Sequence, residues 1–572
     1  MFKNLPTTVE AILAMEWSDY ETCFKDLQAR KLTSSNLDEW LVNWSAVADH
    51  LDEQYTRLFV ATTQYTNDKE IEKRFNHFIE SVQPQARVEE QKLKEKLLAS
   101  GLESPHFKMG LKKMRAEADI FKEANLDLLI EEQKMNAEYN KILGSQTMLW
   151  EGEERTISQM YPLLQAKERA IREKAWKLIV EARLKNREAV NALWTQFMAV
   201  RIKIAQNAGL PDYRAFSWEQ KFRFDYSPED CKTFHAAIEQ VVVPLATRIY
   251  DRHRQKLGLE AFRPWDQLVD TSPDSPLKPY KTLDEFKSKT RDIFTKVDPK
   301  FGEYFQTLMD EGLLDLDNRK NKAQGAYNLS YGVSRKPFIF MSDTGAHLDV
   351  DTILHEGGHA FHAFEAMDVP YFHERAENYV PAEFAEVASM AMELLASPYI
   401  TKEEGGFYTE REAARARLEH LEGLVTFWPY MALVDAFQHW VYENPHESSD
   451  PIQCENKWGE LWDRFMPGID YSGFEDAKKT YWHRQGHIHT SPFYYIEYGL
   501  AQLGAVQVWA NALKDQKKAV DAYRKALALG STVSLPELFQ AAGAKFAFDA
   551  GTLKTFVDLI EEQIEKLEQI IN

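Results

Sequence analysis

Cysteine is scarce in this chain: Cys23, Cys231 and Cys454 are the only three in 572 residues. They lie far apart, form neither a C-x-x-C pair nor a disulfide framework, and read as ordinary reduced thiols. Long apolar runs are missing too. No stretch approaches the roughly 18 uninterrupted apolar residues of a membrane span, and the opening segment, Met1 to Glu21, turns acidic without a sustained apolar core. The expectation is a cytoplasmic protein with no membrane partner. Positive charge is in deficit, with 69 Lys and Arg against 89 Asp and Glu and a formal charge of -20. Such a field repels nucleic-acid phosphates and anionic lipid, so nucleic acid is not an expected partner. These absences say nothing about oligomeric state.

What is present is a chain with 44% hydrophobic residues, enough for a substantial core. From about Leu37 to Val200 the apolar residues return every three or four positions, as in AKERAIREKAWKLIVEARLKNREAVNALW, which predicts a succession of amphipathic helices. The stretch from Gly258 to Tyr280 is rich in Pro, Asp and Ser and reads as a loop-rich insertion. Gly325 to Met341, GAYNLSYGVSRKPFIFM, carries two short aromatic and β-branched runs separated by turn residues, the pattern of a small hairpin or sheet edge. Helical periodicity resumes at Asp349 and continues almost to Asn572. The fold class is therefore mainly α with a minor β element. Residues 1–200 read as an N-terminal helical lobe and residues 201–572 as the region carrying the chemistry, the two forming one compact unit.

The chemistry is signalled by LDVDTILHEGGHAFHAF. His355, Glu356 and His359 make the H-E-x-x-H arrangement, in which two imidazoles four residues apart project from one helical face. Neutral His nitrogens suit Zn²⁺, and the intervening Glu356 is placed to act as general base rather than as a ligand. Asp349 or Asp351 supplies an N-terminal cap, Val350, Ile353, Leu354 and Phe361 supply a buried face, and Val369-Pro370 ends the helix. Gly357 and Gly358 inside a helix each cost about 1 kcal/mol relative to Ala. Their compensation is either a close approach of another backbone or the substrate near the metal, or a tight helix crossing.

A catalytic zinc takes a third protein ligand. The continuation toward a third histidine fails, because His362 stands at the Gly position and Glu365 at the His position of that longer motif. The ligand should then be a carboxylate on another helix, and YVPAEFAEVASMAMELL supplies one. Glu386 is the choice, since Ala385, Ala388 and Ser389 around it are small, whereas Glu383 lies in the first turn and serves the helix dipole. Glu393, two turns further on the same face, is the expected partner of a ligating His outside the ligand set. One Zn²⁺ per chain is expected.

These segments resemble the M3 family of zinc peptidases, the thimet oligopeptidase and oligoendopeptidase F group, on the side of the bacterial oligoendopeptidases. KPFIFM, HEGGHAFH, FAEVASMAMELL and PFYYIEYGLAQLGAVQVW occur in the family order, and the resemblance covers most of residues 200–572. It implies two helical lobes enclosing a deep channel that admits short peptides. It also implies a His and two Tyr beside the substrate carbonyl, here His487, Tyr495 and Tyr498; matching from the histidine side chooses His489 and Tyr494 instead, so these two stand as substrate-binding candidates. His362 is shared with the family motif and is assigned to packing or support of the ligands.

The resulting expectation is a zinc endopeptidase of short peptides, with Glu356 as base and Tyr498, Tyr495 or His487 as donors to the oxyanion. The run Phe338, Ile339 and Phe340 is expected to bind the substrate main chain as an added strand. The rivals are a zinc metallo-carboxypeptidase, which would need a cationic residue to hold a free C-terminus, and a non-catalytic peptide-binding protein.

Overall fold

The computed structural model of the protein describes residues 2–272 and 274–571. Helices dominate, as the periodicity predicts. In the helix Leu37–Gln64 the buried residues Leu37, Trp40, Leu41, Trp44, Val47 and Ala48 recur at helical spacing and fill one stripe. All of these but Ala48 belong to an apolar cluster that gathers Met15, Tyr20, Phe24, Phe78, Leu93 and Leu111, whereas a second, larger cluster runs from Val60 through to Leu567.

Among the described residues of the Gly258 to Tyr280 stretch the only regular element is a short 3-10 turn, Pro264–Asp266. It is pinned by the buried pair of Arg172 and Asp266 at 2.8 Å, with Arg169 on the second carboxylate oxygen. One element departs from the helical reading of the N-terminal half. Thr147–Trp150 and Glu153–Thr156 form an antiparallel hairpin. Its two-residue turn, Glu151-Gly152, has positive φ at both positions, 54° and 88°, the geometry that a tight hairpin of this hand requires.

The small sheet next to the H-E-x-x-H helix has three strands. Lys336–Met341 is central; it pairs in parallel with Leu314–Asp315 on one side and antiparallel with Ala326–Tyr331 on the other, with Tyr331 opposite Lys336. The helix Leu37–Gln64 is docked on this sheet. Glu53 accepts the backbone N–H groups of Val333 and Ser334 at 2.9 and 2.8 Å, the Thr63 and Tyr327 hydroxyls meet at 2.5 Å, and the Arg57 guanidinium lies 3.9 Å from the centre of the Tyr331 ring.

A cavity of about 460 Å³ separates that helix from the chemistry-bearing helix, lined by Asp49, Asp52 and Tyr55 on one wall and His359, His362 and Ala363 on the other. Among the described residues no helix is long and apolar enough to cross a membrane. All three cysteines are buried and free.

Candidate metal centre and its surroundings

The helix His347–Glu365 carries the two imidazoles. Its start is organised by Asp349, which is not the cap residue itself but the third residue of the helix: its carboxylate accepts from the N–H groups of Thr344 and Ala346 at 3.0 and 2.9 Å and from the Tyr280 hydroxyl at 2.6 Å. The second helix, Ala382–Ala396, begins directly after Pro381 and ends where Pro398 removes the next donor. The two helices pack against each other, and Ala382–Ala396 also packs against Tyr495–Ala512.

At this crossing Glu386 meets both histidines. Its Oε2 lies 3.4 Å from His355 Nε2 and 3.7 Å from His359 Nε2, and one donor atom from each of the three residues falls within 4.8 Å of the others. The imidazole rings stand 5.0 Å apart and nearly perpendicular, at 82°, so their nitrogens converge instead of stacking. Ser389 Oγ donates to Glu386 Oε2 at 3.0 Å and fixes the carboxylate rotamer. His355 Nδ1 is 2.6 Å from Glu393 Oε1, so the carboxylate takes that N–H and leaves Nε2 free to ligate. His420, on the helix Glu410–Glu443, brings its Nε2 to 2.9 Å from the other Glu393 oxygen as a charge contact. Sequence reasoning missed His420, a lone histidine on a long, largely buried helix with no spacing relation to the motif.

The electrostatics follow from these contacts. Burial pushes the Glu386 carboxyl up, but the His355 hydrogen bond, the charges of His359 and His355 and the Ser389 hydroxyl outweigh it and hold it below the ordinary value. Glu393 is likewise opposed by burial, yet its bonds to His355 and His420 bring it down to about 2. Burial lowers His359 to about 4, leaving it neutral as a metal ligand must be. Glu356 is held up at about 7, chiefly by burial, with the charge of His355 opposing and those of Glu386 and Glu393 adding. Against burial, His355 is raised well above its ordinary value by its bonds to Glu386 and Glu393, the anionic surroundings in which a cation would replace its second proton. Two imidazoles, one carboxylate and a carboxylate supporting the first imidazole form a donor set that fits a divalent zinc-like ion.

His362 does not join the ligand group. It is buried on the cavity wall, edge-on to Phe384 at 5.9 Å, with its Nε2 unpartnered among the described residues and its pKa lowered to about 3 by burial.

The aromatic segment lies across the tyrosine helix Tyr495–Ala512 and the short helix Gly486–His489. His487 has Tyr494, Tyr495 and Tyr498 around it with ring centres at 5.5, 5.0 and 6.1 Å. Burial, then the charges of Tyr498 and Glu386, push Tyr494 well up, and burial followed by the charge of Glu386 pushes Tyr498 to about 12. Tyr495 is raised to about 12 by burial and by Tyr481, without Glu386 among its causes, and its ring packs on Phe427 and Tyr430 at 5.6 and 5.9 Å. Tyr494 and Tyr498 are in ring contact, with centres 5.2 Å apart, and the charge of Glu386 acts on both; the helix match points instead to Tyr495 and Tyr498.

Gln485 orients His487. Its Oε1 accepts from the Tyr430 hydroxyl at 2.9 Å, so its Nε2 donates to His487 Nδ1, also at 2.9 Å, and the imidazole proton resides on Nε2. His489 corrects the expectation of a substrate contact. It is fully buried, stacked between Tyr139 at 4.3 Å and Trp482 at 5.4 Å, because the turn after Gln485 directs alternate histidines to opposite sides.

The strand expectation is corrected as well. Phe338, Ile339 and Phe340 are buried at 4%, 0% and 0%, and at Ile339 and Phe340 the strand has neighbours on both edges, which blocks main-chain pairing with a substrate there. The longer of the two edge strands is Ala326–Tyr331, and its Asn328, Leu329, Ser330 and Tyr331 line the cavity.

Comparison with known proteins agrees with this arrangement. The oligopeptidase PepF of Bacillus subtilis (strain 168) is 23% identical over 338 residues, 58% of this chain and 48% of that protein. An oligoendopeptidase F homolog of Mycoplasma genitalium is 21% identical over 437 residues, 72% of this chain and 69% of its own. The match thus spans about half the length of the first of these relatives. Among solved structures, PZ peptidase A with an inhibitor superposes with a TM-score of 0.84 at 26% identity over 99% of both chains. Oligoendopeptidase F from Enterococcus faecium shares the fold, with a TM-score of 0.61 at 14% identity over 97% of this chain and 98% of its own. Residues 162–558 match Peptidase family M3, well over half of the sequence, and the chain belongs to that family.

Proposed function

We propose that this chain is a zinc-dependent endopeptidase that hydrolyses short peptides, working as one catalytic unit of residues 201–572 faced by an N-terminal lobe over residues 1–200. The observation that carries the reading is the convergence of His355, His359 and Glu386 to within 4.8 Å beside a buried, proton-hungry Glu356. Membership of a metallopeptidase family and the names of the relatives, oligopeptidase and oligoendopeptidase, support it.

His355, His359 and Glu386 would hold a zinc ion, and the chemistry it would supply there is that of a Lewis acid toward the scissile carbonyl and the attacking water. Glu356, buried and with a pKa near neutrality, takes the proton of that water and delivers it to the leaving amine. Glu393 keeps His355 in the ligating tautomer. Tyr498 and Tyr494 keep their protons at neutral pH, and His487 carries its own on Nε2, so all three serve as donors to the developing oxyanion. Such a donor contributes about 3–4 kcal/mol when well placed.

The free edge at Asn328–Tyr331 offers main-chain groups to an extended peptide, which reads backbone and tolerates varied side chains. The test is hydrolysis of an internally quenched peptide blocked at both ends, with zinc content measured in parallel. Cleavage that is abolished by a chelator and restored by zinc is expected. A metal-free, inactive protein overturns the reading, and cleavage only of peptides with a free C-terminus replaces it with a carboxypeptidase.

A further inference from the structure

The tyrosine helix is launched from an unusual residue. Phe493 has φ +63°, in the left-handed region that a bulky aromatic rarely adopts, and it immediately precedes Tyr494. Its peptide is held from both sides: its N–H donates to Gln438 Oε1 at 2.7 Å, and its carbonyl accepts from Arg223 Nη2. The ring is fully buried against Trp218, His439 and Tyr442, each with ring centres 5.4 Å away. A backbone conformation of this kind persists only where its surroundings over-determine it, and such residues cluster where geometry matters to function.

Arg223 does more than hold this turn. Its side chain is 1% exposed and lies over the faces of Trp218 and Tyr226, at 4.6 and 5.5 Å. Nη2 also donates to Glu497 Oε1 at 2.6 Å, in the first turn of the tyrosine helix and next to Tyr498. Nε stands 4.0 Å from Glu383 Oε1, one turn before Glu386, and that oxygen accepts the Tyr226 hydroxyl at 2.6 Å. Nε and Nη1 have no hydrogen-bond partner among the described residues. One rigid, planar cation thus touches the turn that starts the tyrosine helix, the first turn of that helix and the first turn of the helix carrying the carboxylate ligand. A lysine keeps the charge but cannot reach three groups in one plane.

We infer that Arg223 is a positioning residue that sets the hydroxyls of Tyr494 and Tyr498 relative to the Glu386 carboxylate, acting through Phe493, Glu497 and Glu383. The inference rests on the endopeptidase reading above. Neither Arg223 nor Gln438 touches the metal ligands or the substrate edge. Arg223 hydrogen-bonds the tyrosine helix at Phe493 and Glu497 but meets the Glu386 helix only as a 4.0 Å charge contact with Glu383, so its effect on the reaction passes chiefly through the tyrosines.

The experiment is a double-mutant cycle on the zinc-loaded full-length protein. Arg223→Lys is expected to lower kcat by about 100-fold, the effect of displacing a reacting group by roughly 1 Å, while KM and zinc content stay within about twofold of wild type. In the Tyr494→Phe, Tyr498→Phe background the same substitution should lower kcat by less than about threefold, because the groups it positions are already gone. A merely structural arginine gives equal losses in both backgrounds, and that result overturns the assignment, as does a loss confined to KM or an unchanged kcat. If Arg223→Lys does not fold, Gln438→Ala, which releases the other side of Phe493, is read in the same cycle with the same expected and overturning outcomes. Absence of chelator-sensitive turnover in the wild type overturns the underlying reading. Intact wild-type turnover with additive losses overturns only the role of Arg223.

Discussion

Gly358 approaches the helix Ala382–Ala396 so closely that a methyl group placed on it would lie 2.5 Å from Ser389 Cα and 2.5 Å from the Ala388 carbonyl oxygen. This contact is what lets the two helices cross with their backbones touching, and that crossing is what brings Glu386 to the imidazoles. Gly357 is turned the other way, and a methyl there meets the Phe294 ring at 2.4 Å.

Gly358→Ala therefore forces apart two backbones that cannot yield as a side-chain tip can. The expected outcome is a loss of about 1–3 kcal/mol of stability from overpacking, together with weakened zinc binding. Thermal melts with and without zinc check it; a variant that melts and binds zinc like wild type would show that the crossing tolerates a methyl group.

Glu356→Gln removes the proton acceptor and leaves every proposed ligand in place. Zinc content should remain at one per chain while kcat falls by about 10²–10⁴-fold. Metal analysis alongside steady-state kinetics separates this from loss of the ion, and retained turnover removes Glu356 from the role of base.

Glu393→Gln acts one step further out. Without the carboxylate that accepts His355 Nδ1–H at 2.6 Å, zinc affinity is expected to fall about 10–100-fold. Competition against a chromophoric chelator measures this, and added zinc should restore much of the activity.

The tyrosines separate by the direction they face. Tyr498→Phe and Tyr494→Phe should each lower kcat more than they raise KM, whereas Tyr495→Phe, whose ring packs on Phe427 and Tyr430, should stay within about threefold of wild type. The reverse ranking would return the oxyanion role to Tyr495.

Asp52, on the cavity wall, has its carboxyl pushed up to about 8 by burial and then by the negative charges of Asp49, Glu377 and Glu53. An unfolded aspartate titrates near 3.9, so between about pH 4 and 8 the folded protein holds a proton that the unfolded chain releases. Stability from this group is present at low pH and is lost as the pH rises through that window. Asp52→Asn is neutral throughout. The Tm of the variant relative to wild type should therefore climb from pH 4 to pH 8, and a pH-independent difference would refute the shift.

The helical class and the placing of His355, Glu356, His359, Glu386 and Glu393 on two helices were legible because each signal is local. Residues four apart share a helix face, a proline opens the second helix, and small residues flank the one carboxylate that a close crossing can expose. The central place of Phe338, Ile339 and Phe340 was not legible, because the short strand Leu314–Asp315 that covers their second edge pairs across more than twenty residues of sequence. His489 and His487 differ by two positions in a short helical turn, and only the ring of Trp482 and Tyr139 around one of them decides which is core. Tyr494 and Tyr495 are adjacent at the start of one helix, and only the packing of the Tyr495 ring on Phe427 and Tyr430 tells them apart.

By itself the sequence determined which side chains can bind a metal, which can move a proton and on which helices they sit, since periodicity and residue chemistry are properties of short segments. Tertiary structure alone decided how those helices cross, which strand edge stays open and which aromatic hydroxyls reach the site. These depend on contacts between segments far apart in the chain, where a rotation of one residue on a helix or one strand in a sheet moves a side chain from the site into the core.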